Sequence, residues 1–113
     1  MWGGRSKYLK HKEEARHLIL SRLLHFNQFY NFTYNRVAIR DQKSRWGSCS
    51  SKKNINFNYR ILFIPPELAD YIIVHELCHL GQMNHSRDFW NLVSKTIPDF
   101  RQKRAKLKAI HMR

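Results

Sequence analysis

The run from Pro65 to Gly81, Pro-Pro-Glu-Leu-Ala-Asp-Tyr-Ile-Ile-Val-His-Glu-Leu-Cys-His-Leu-Gly, constrains the fold of this chain more than any other stretch. Proline is tolerated in the first turn of a helix, where its missing N–H has no intrahelical partner, and Glu67 complements the positive end of the helix dipole. Leu68, Ile72, Ile73, Val74, Leu77 and Leu80 then fall on nearly every side of the helical wheel. A helix that is apolar all round is buried all round. The pattern therefore predicts a central helix that runs to Leu80 and ends at Gly81, a residue suited to the left-handed conformation that closes many helices. Yet this helix also carries His75, Glu76 and His79. Polar groups in such a position need partners, because burying them unsatisfied is costly.

Their spacing supplies a reason. Residues four apart project from the same helical face, so the imidazoles of His75 and His79 can reach one metal ion. Glu76 lies about 60° round the helix from His79. From there it can touch a water held by the metal without itself ligating. Zinc lowers the pKa of such a water toward about 7, and a carboxylate can take its proton as it attacks a carbonyl. Random placement of seven His and four Glu would produce this His-Glu-x-x-His pattern with a chance of roughly 1.5%.

A catalytic zinc takes three protein ligands. His85 follows His79 by six residues, after a glycine that lets the chain turn and just before Ser86, which has the character of a helix N-cap. The alternative is an acidic third ligand, for which Asp88 is the nearby residue. Cys78 is not excluded by helical angle, but its apolar neighbours favour a buried structural thiol. His11, His17, His25 and His111 have no comparable spacing and read as surface residues.

Around this helix the sequence alternates between helical and extended periods. Ala15, Leu18, Ile19, Leu23, Phe26 and Tyr30 recur at intervals of three and four, predicting a helix from Ser6 to about Tyr30. Strand character follows at Val37–Arg40, Ser44–Gly47 and Asn54–Phe63, with Ser50, Ser51, Lys52 and Lys53 as the hairpin loop joining the last two. In the third segment Asn54, Asn56, Asn58 and Arg60 should face one way and Ile55, Phe57 and Tyr59 the other. After Ser86, the residues Phe89, Trp90, Val93 and Ile97 form one apolar stripe, which Pro98 interrupts. The tail from Arg101 reads as a short cationic helix containing Leu107 and Ile110. No repeat, linker or second domain is evident, so residues 1–113 are expected to form one domain, close to the lower size limit for a self-sufficient core.

Composition removes several classes. An apolar fraction of 42% argues against disorder, and two cysteines are too few for a disulfide scaffold. The N-terminal residues lack the apolar core of a secretory signal, and no run approaches a membrane span. These features point to a reducing, soluble compartment, most simply the cytoplasm. Twenty-one Lys and Arg against eight acids give a net charge of +13. Such a charge attracts phosphate-rich partners, so nucleic acid or nucleotide contact through a basic surface is an expectation. No phosphate-binding loop or nucleic-acid fold signature accompanies it.

Several motifs in order, Ser44-Arg45-Trp46-Gly47-Ser48-Cys49-Ser50, Ile55-Asn56-Phe57-Asn58-Tyr59-Arg60, His75-Glu76-Leu77-Cys78-His79-Leu80, Asn84-His85-Ser86 and Phe89-Trp90, closely resemble the YgjP-like metallopeptidase domain, which is related to the SprT-like and Wss1-like zincins. The resemblance runs from about Trp2 to about Ile110. It implies an α+β zincin fold: an N-terminal helix, a small twisted sheet, the buried metal helix and a C-terminal helix. It also implies zinc on His75, His79 and His85, with Glu76 catalytic in peptide-bond hydrolysis. Zincins bind an extended peptide along the edge strand above the cleft, and Asn54–Arg60 is the expected strand here, with Asn56 and Asn58 facing the substrate. Tyr34, Tyr59 and Arg60 are candidates to stabilise the oxyanion. The Arg45–Cys49 segment is expected beside the metal helix, with Trp46 in the core. Two other readings of the charge are a metal-dependent hydrolase of nucleotides or other phosphate esters, and a nucleic-acid-associated protease module.

Overall fold

A computed structural model of the chain describes residues 4–110. The elements run α1 (Gly4–Asn27), β1 (Arg36–Arg40), β2 (Gly47–Cys49), β3 (Asn54–Asn58), a 3-10 helix (Tyr59–Phe63), α2 (Pro66–Cys78), α3 (Arg87–Ser94) and α4 (Phe100–Lys108). This is the α+β class expected. One face of α1 buries Ala15, Ile19, Leu23 and Phe26, as its period requires. Arg22 grips Asp70 of α2 with two bonds of 2.9 and 3.0 Å, the planar fork of guanidinium matching the carboxylate. The central position of α2 also holds: Leu68, Ile72, Ile73, Val74, Leu77 and Cys78 are all buried.

The sheet has the order β1-β3-β2, with β1 parallel and β2 antiparallel to β3. Three expectations about it need correction. First, β3 is the central strand, paired on both sides, and cannot receive a further strand. The edges of the sheet belong to β1 and β2, and β2 is the one that passes over Glu76. Second, the strand expected at Ser44–Gly47 is found at Gly47–Cys49. The preceding loop is held away from the ladder by Asn58, whose Nδ2 donates to the carbonyls of Gln42 and Arg45 at 2.6 and 3.0 Å. Third, alternation stops at Asn58. Its Oδ1 accepts from the Arg60 N–H at 3.0 Å, capping the 3-10 helix that replaces the expected strand end, and Tyr59, Arg60 and Ile61 are all buried.

The consequence is that Asn58 and Arg60 do not face cleft or solvent. Asn58 is fully buried, and Arg60 donates to Asp41 Oδ1 and to the Gln42 carbonyl, each at 2.9 Å. The hairpin loop falls where expected, with Lys53 at a positive φ of 65° and its N–H bonded to the Ser50 carbonyl.

The end of α2 differs in mechanism from the expectation. The α-helix ends at Cys78 and tightens into turns in which the N–H groups of His79, Leu80 and Gly81 bond three residues back; His79 keeps right-handed dihedrals, and Gly81 does not adopt the left-handed conformation. Glycine is needed at 81 for proximity instead: a Cβ there would lie 2.7 Å from the Phe32 ring. Phe32 is fixed in turn by a reciprocal pair of bonds to the Asn27 side chain and by stacking on Tyr30, whose hydroxyl donates to the Leu92 carbonyl at 2.6 Å. The close of α1 therefore braces the turn that carries the chain toward His85.

Candidate metal centre

The last turn of α2, its C-cap residue and the loop before α3 bring three imidazoles together. One ligand atom from each of His75, His79 and His85 lies within 4.8 Å of the others, and Nε2 of His79 is 3.1 Å from Nε2 of His85. Around a tetrahedral zinc with bonds of about 2.0–2.1 Å, ligand nitrogens stand roughly 3.3 Å apart. The group is thus of the right size to close on one ion with small side-chain movements. Asp88, the alternative third ligand, is not part of this group, nor is Cys78, which is fully buried.

The second nitrogens of two rings are already engaged. His79 Nδ1 lies 3.0 Å from the Gln82 carbonyl, which can only accept, so Nδ1 carries the proton and Nε2 presents its lone pair. His75 Nδ1 is 3.3 Å from Oε2 of Glu76. Burial lowers the pKa of both His79 and His85, and the neighbouring imidazoles of the cluster add to the effect, so the neutral, ligating form is favoured.

Aromatic packing fixes the rings. Phe89, fully buried on α3, stacks on His79 at 4.4 Å and meets His75 and His85 edge-on at 5.1 and 5.0 Å. Trp90 stacks on His85 at 5.8 Å. Ser86 caps α3 as its sequence position predicted, accepting from the Phe89 N–H at 3.4 Å, so the cap that starts the helix also sets the residues that pack against the imidazoles.

Glu76 is 6% exposed and sits beneath β2. A Cβ on Gly47 would come within 3.0 Å of the Glu76 Cγ and 3.0 Å of the Asn56 carbonyl oxygen. Glycine at 47 therefore lets the edge strand pass directly over the carboxylate. Trp46 packs against the core and also lines a slot of about 220 Å³ with Gly47, Tyr71, His75, Glu76 and Arg104. A second opening of about 320 Å³ is bounded by His75, His85, Trp90 and Arg104.

Other expected site residues are elsewhere. Asn56 is half-buried and tied to Ser48 and Arg40 across the sheet, at 3.2 Å each. Asn58 and Arg60 belong to the clamp on the 41–46 loop, and Tyr59 lies in the core against Tyr8. Tyr34 lines neither opening. His17 and His25 are exposed and His11 half-buried, while His111 lies outside the described residues.

Tyr71 and Arg104 were not anticipated. Tyr71 stands four residues before His75, so the same helical rule that joined the two histidines would have placed it on their face. Burial raises its pKa, Glu76 adds to this and Arg104 opposes it, and the phenol keeps its proton. Arg104 comes from α4, and no spacing in the sequence connects it to the metal helix.

No curated protein sequence matches the chain. Among solved structures, it is similar to the metallopeptidase zymogen abylysin of Pyrococcus abyssi, with a TM-score of 0.70, 26% identity, and coverage of 84% of this chain and 99% of that one. It is also similar to the metallopeptidase zymogen jannalysin of Methanocaldococcus jannaschii, with a TM-score of 0.58, 25% identity, and coverage of 85% and 97%. The YgjP-like metallopeptidase domain model matches residues 7–110, nearly the whole chain, and with three convergent imidazoles beside a buried glutamate the conclusion is that this chain belongs to the YgjP-like metallopeptidase domain family.

Proposed function

We propose that this chain is a zinc-dependent peptidase in which His75, His79 and His85 hold the metal and Glu76 is the general base. The observation that carries the reading is the convergence of three imidazole nitrogens within 4.8 Å, next to a carboxylate that is 6% exposed. Three neutral imidazoles leave a fourth tetrahedral position open, the usual donor set of a catalytic zinc. When bound, zinc would supply Lewis-acid chemistry, acidifying a water and polarising the substrate carbonyl.

The chain's own groups account for the remaining steps. Glu76 accepts the proton of the attacking water and returns it to the leaving amine. Its neighbour His75 Nδ1, 3.3 Å away, orients the carboxylate. Tyr71, held protonated by burial and lining the same slot, donates a hydrogen bond to the carbonyl oxygen as that oxygen gains charge.

An extended peptide is received at β2. Ser48 pairs with Asn56, and bonds at Ser50–Asn54 and Trp46–Asn58 fix the antiparallel phase, so the backbone groups of Gly47 and Cys49 point to the open edge. Those groups can pair with a substrate strand lying across Glu76. Cys49 and Cys78 are free thiols, which fits the reducing cytoplasm expected from the sequence, and no helix among the described residues is long and apolar enough to cross a membrane.

Zinc-loaded protein incubated with unfolded casein tests the reading. Fragmentation is expected, with chelator-sensitive kinetics. A protein that takes up one zinc yet cleaves no unfolded polypeptide would sink the proposal.

A further inference from the structure

Beside the metal centre, α3 and α4 enclose a cleft of about 800 Å³. Arg87, Arg101, Arg104 and Lys108 line it together with Trp90 and Phe100, and no acid does. The four basic residues are exposed, Trp90 is half-buried and Phe100 buried, so the cleft has an apolar floor and a cationic rim. Among the described residues, none of the four is within ion-pair distance of a carboxylate. The nearby acid Asp99 is already bonded to Lys103 at 3.0 Å. Four cations of one sign over a low-dielectric floor focus the field and favour an anionic ligand.

The cleft adjoins the opening at the metal centre, since Trp90 and Arg104 line both. We propose that it is a specificity subsite for acidic side chains, so that the enzyme selects polypeptides carrying Asp or Glu near the scissile bond. The inference rests on the peptidase reading and adds its substrate class. Guanidinium groups are suited to the task. Those of Arg101 and Arg104 lie over the faces of Phe100 and Trp90, at 5.0 and 5.5 Å, which leaves their in-plane N–H donors available for a carboxylate.

The same packing disfavours a nucleic-acid strand. Sequence-tolerant binding of single strands uses aromatic faces on which bases stack. Here Trp90 and Phe100 stack on each other at 4.8 Å, Trp90 also stacks on His85, and the arginines lie over both rings. A base would have to displace these partners to stack on either ring.

Fluorescence anisotropy tests the assignment without turnover. The full chain with Glu76→Gln is titrated into a labelled glutamate-containing octapeptide and into its glutamine isostere, at physiological salt. Two or three exposed charge pairs predict about tenfold tighter binding of the acidic peptide. The preference should collapse in Arg87→Ala, Arg101→Ala, whose side chains line the cleft but neither metal-centre opening. It should persist in Lys10→Ala, Arg36→Ala, outside the cleft. Equal affinity for the two peptides, or a preference that survives the cleft substitutions, overturns the proposal. So does a short oligothymidylate that binds more tightly than the acidic peptide and depends on Arg87 and Arg101, which would assign the cleft to nucleic acid. Because the assay needs no hydrolysis, its outcome is independent of whether zinc-loaded wild-type protein cleaves casein.

Discussion

Two buried polar clusters occupy this small molecule, and they are organised in opposite ways. Around Asn58, donors meet acceptors: the amide of Asn58 and the guanidinium of Arg60 bond to the carbonyls of Gln42 and Arg45 and to the carboxylate of Asp41. Around His79, like meets like: ring nitrogens of His75, His79 and His85 converge, with two Nε2 atoms 3.1 Å apart. The first cluster is complete from within, and its role is to hold the 41–46 loop so that β2 can run over Glu76. The second is built of groups of one kind and opens to the surface. Complementarity, rather than burial, distinguishes the two clusters, since Asn58 is more buried than His79.

The sharpest test of this contrast replaces Glu76 with Gln. The amide keeps the shape of the carboxylate but cannot accept a proton at neutral pH, so turnover of casein should fall by about 10²–10⁴-fold. Zinc content by elemental analysis and the circular dichroism spectrum should stay as in wild type. Near-normal turnover in the metallated variant rules out Glu76 as base.

His85→Ala asks whether the open cluster is the metal site. Loss of a group that merely orients a ligand costs about 10–100-fold in affinity, so loss of a ligand should exceed about 100-fold. Asp88→Ala, outside the imidazole group, should change affinity little. Competition with a chromophoric chelator measures both, and tight zinc binding retained in His85→Ala would overturn the ligand assignment.

Asn58→Ala addresses the other cluster. It removes the cap of the 3-10 helix and leaves the Arg45 carbonyl without its donor, at a cost of roughly 2–4 kcal/mol in unfolding free energy from urea titration. Zinc stoichiometry should remain one per chain. A variant that is as stable as wild type would show that the clamp is dispensable.

Gly81→Ala is the mildest of these changes. The added methyl meets the Phe32 ring at 2.7 Å, and the overpacking should cost about 1–3 kcal/mol. A companion Phe32→Leu substitution should recover part of that loss. Failure to recover any would mean that the strain at 81 arises elsewhere than at this contact.

How much of this was legible beforehand depends on the range of the interaction that fixes each feature. The helical period put His75, Glu76 and His79 on adjoining faces of a buried helix, and Ser86 signalled the start of α3, because both depend on geometry within one turn of chain. Tyr71 was readable by the same rule. Alternation placed Ile55 and Phe57 inward, but period two is the same for an edge strand and a central one, so it could not reveal that β3 is enclosed by β1 and β2. Nor could it foresee that Asn58 turns inward to cap and clamp, since its partners lie 13 and 16 residues away.

The sequence by itself determined that a buried central helix carries His75, Glu76 and His79 on adjoining faces and that a helix starts after Ser86, through contacts spanning one turn. Only the tertiary structure decided which strands lie at the edges of the sheet, how Phe32 braces the turn before His85, and that Arg104 and Trp90 stand between the imidazole cluster and a basic cleft. Those features are set by packing between segments tens of residues apart, and local periodicity carries no record of which distant segment a face will meet.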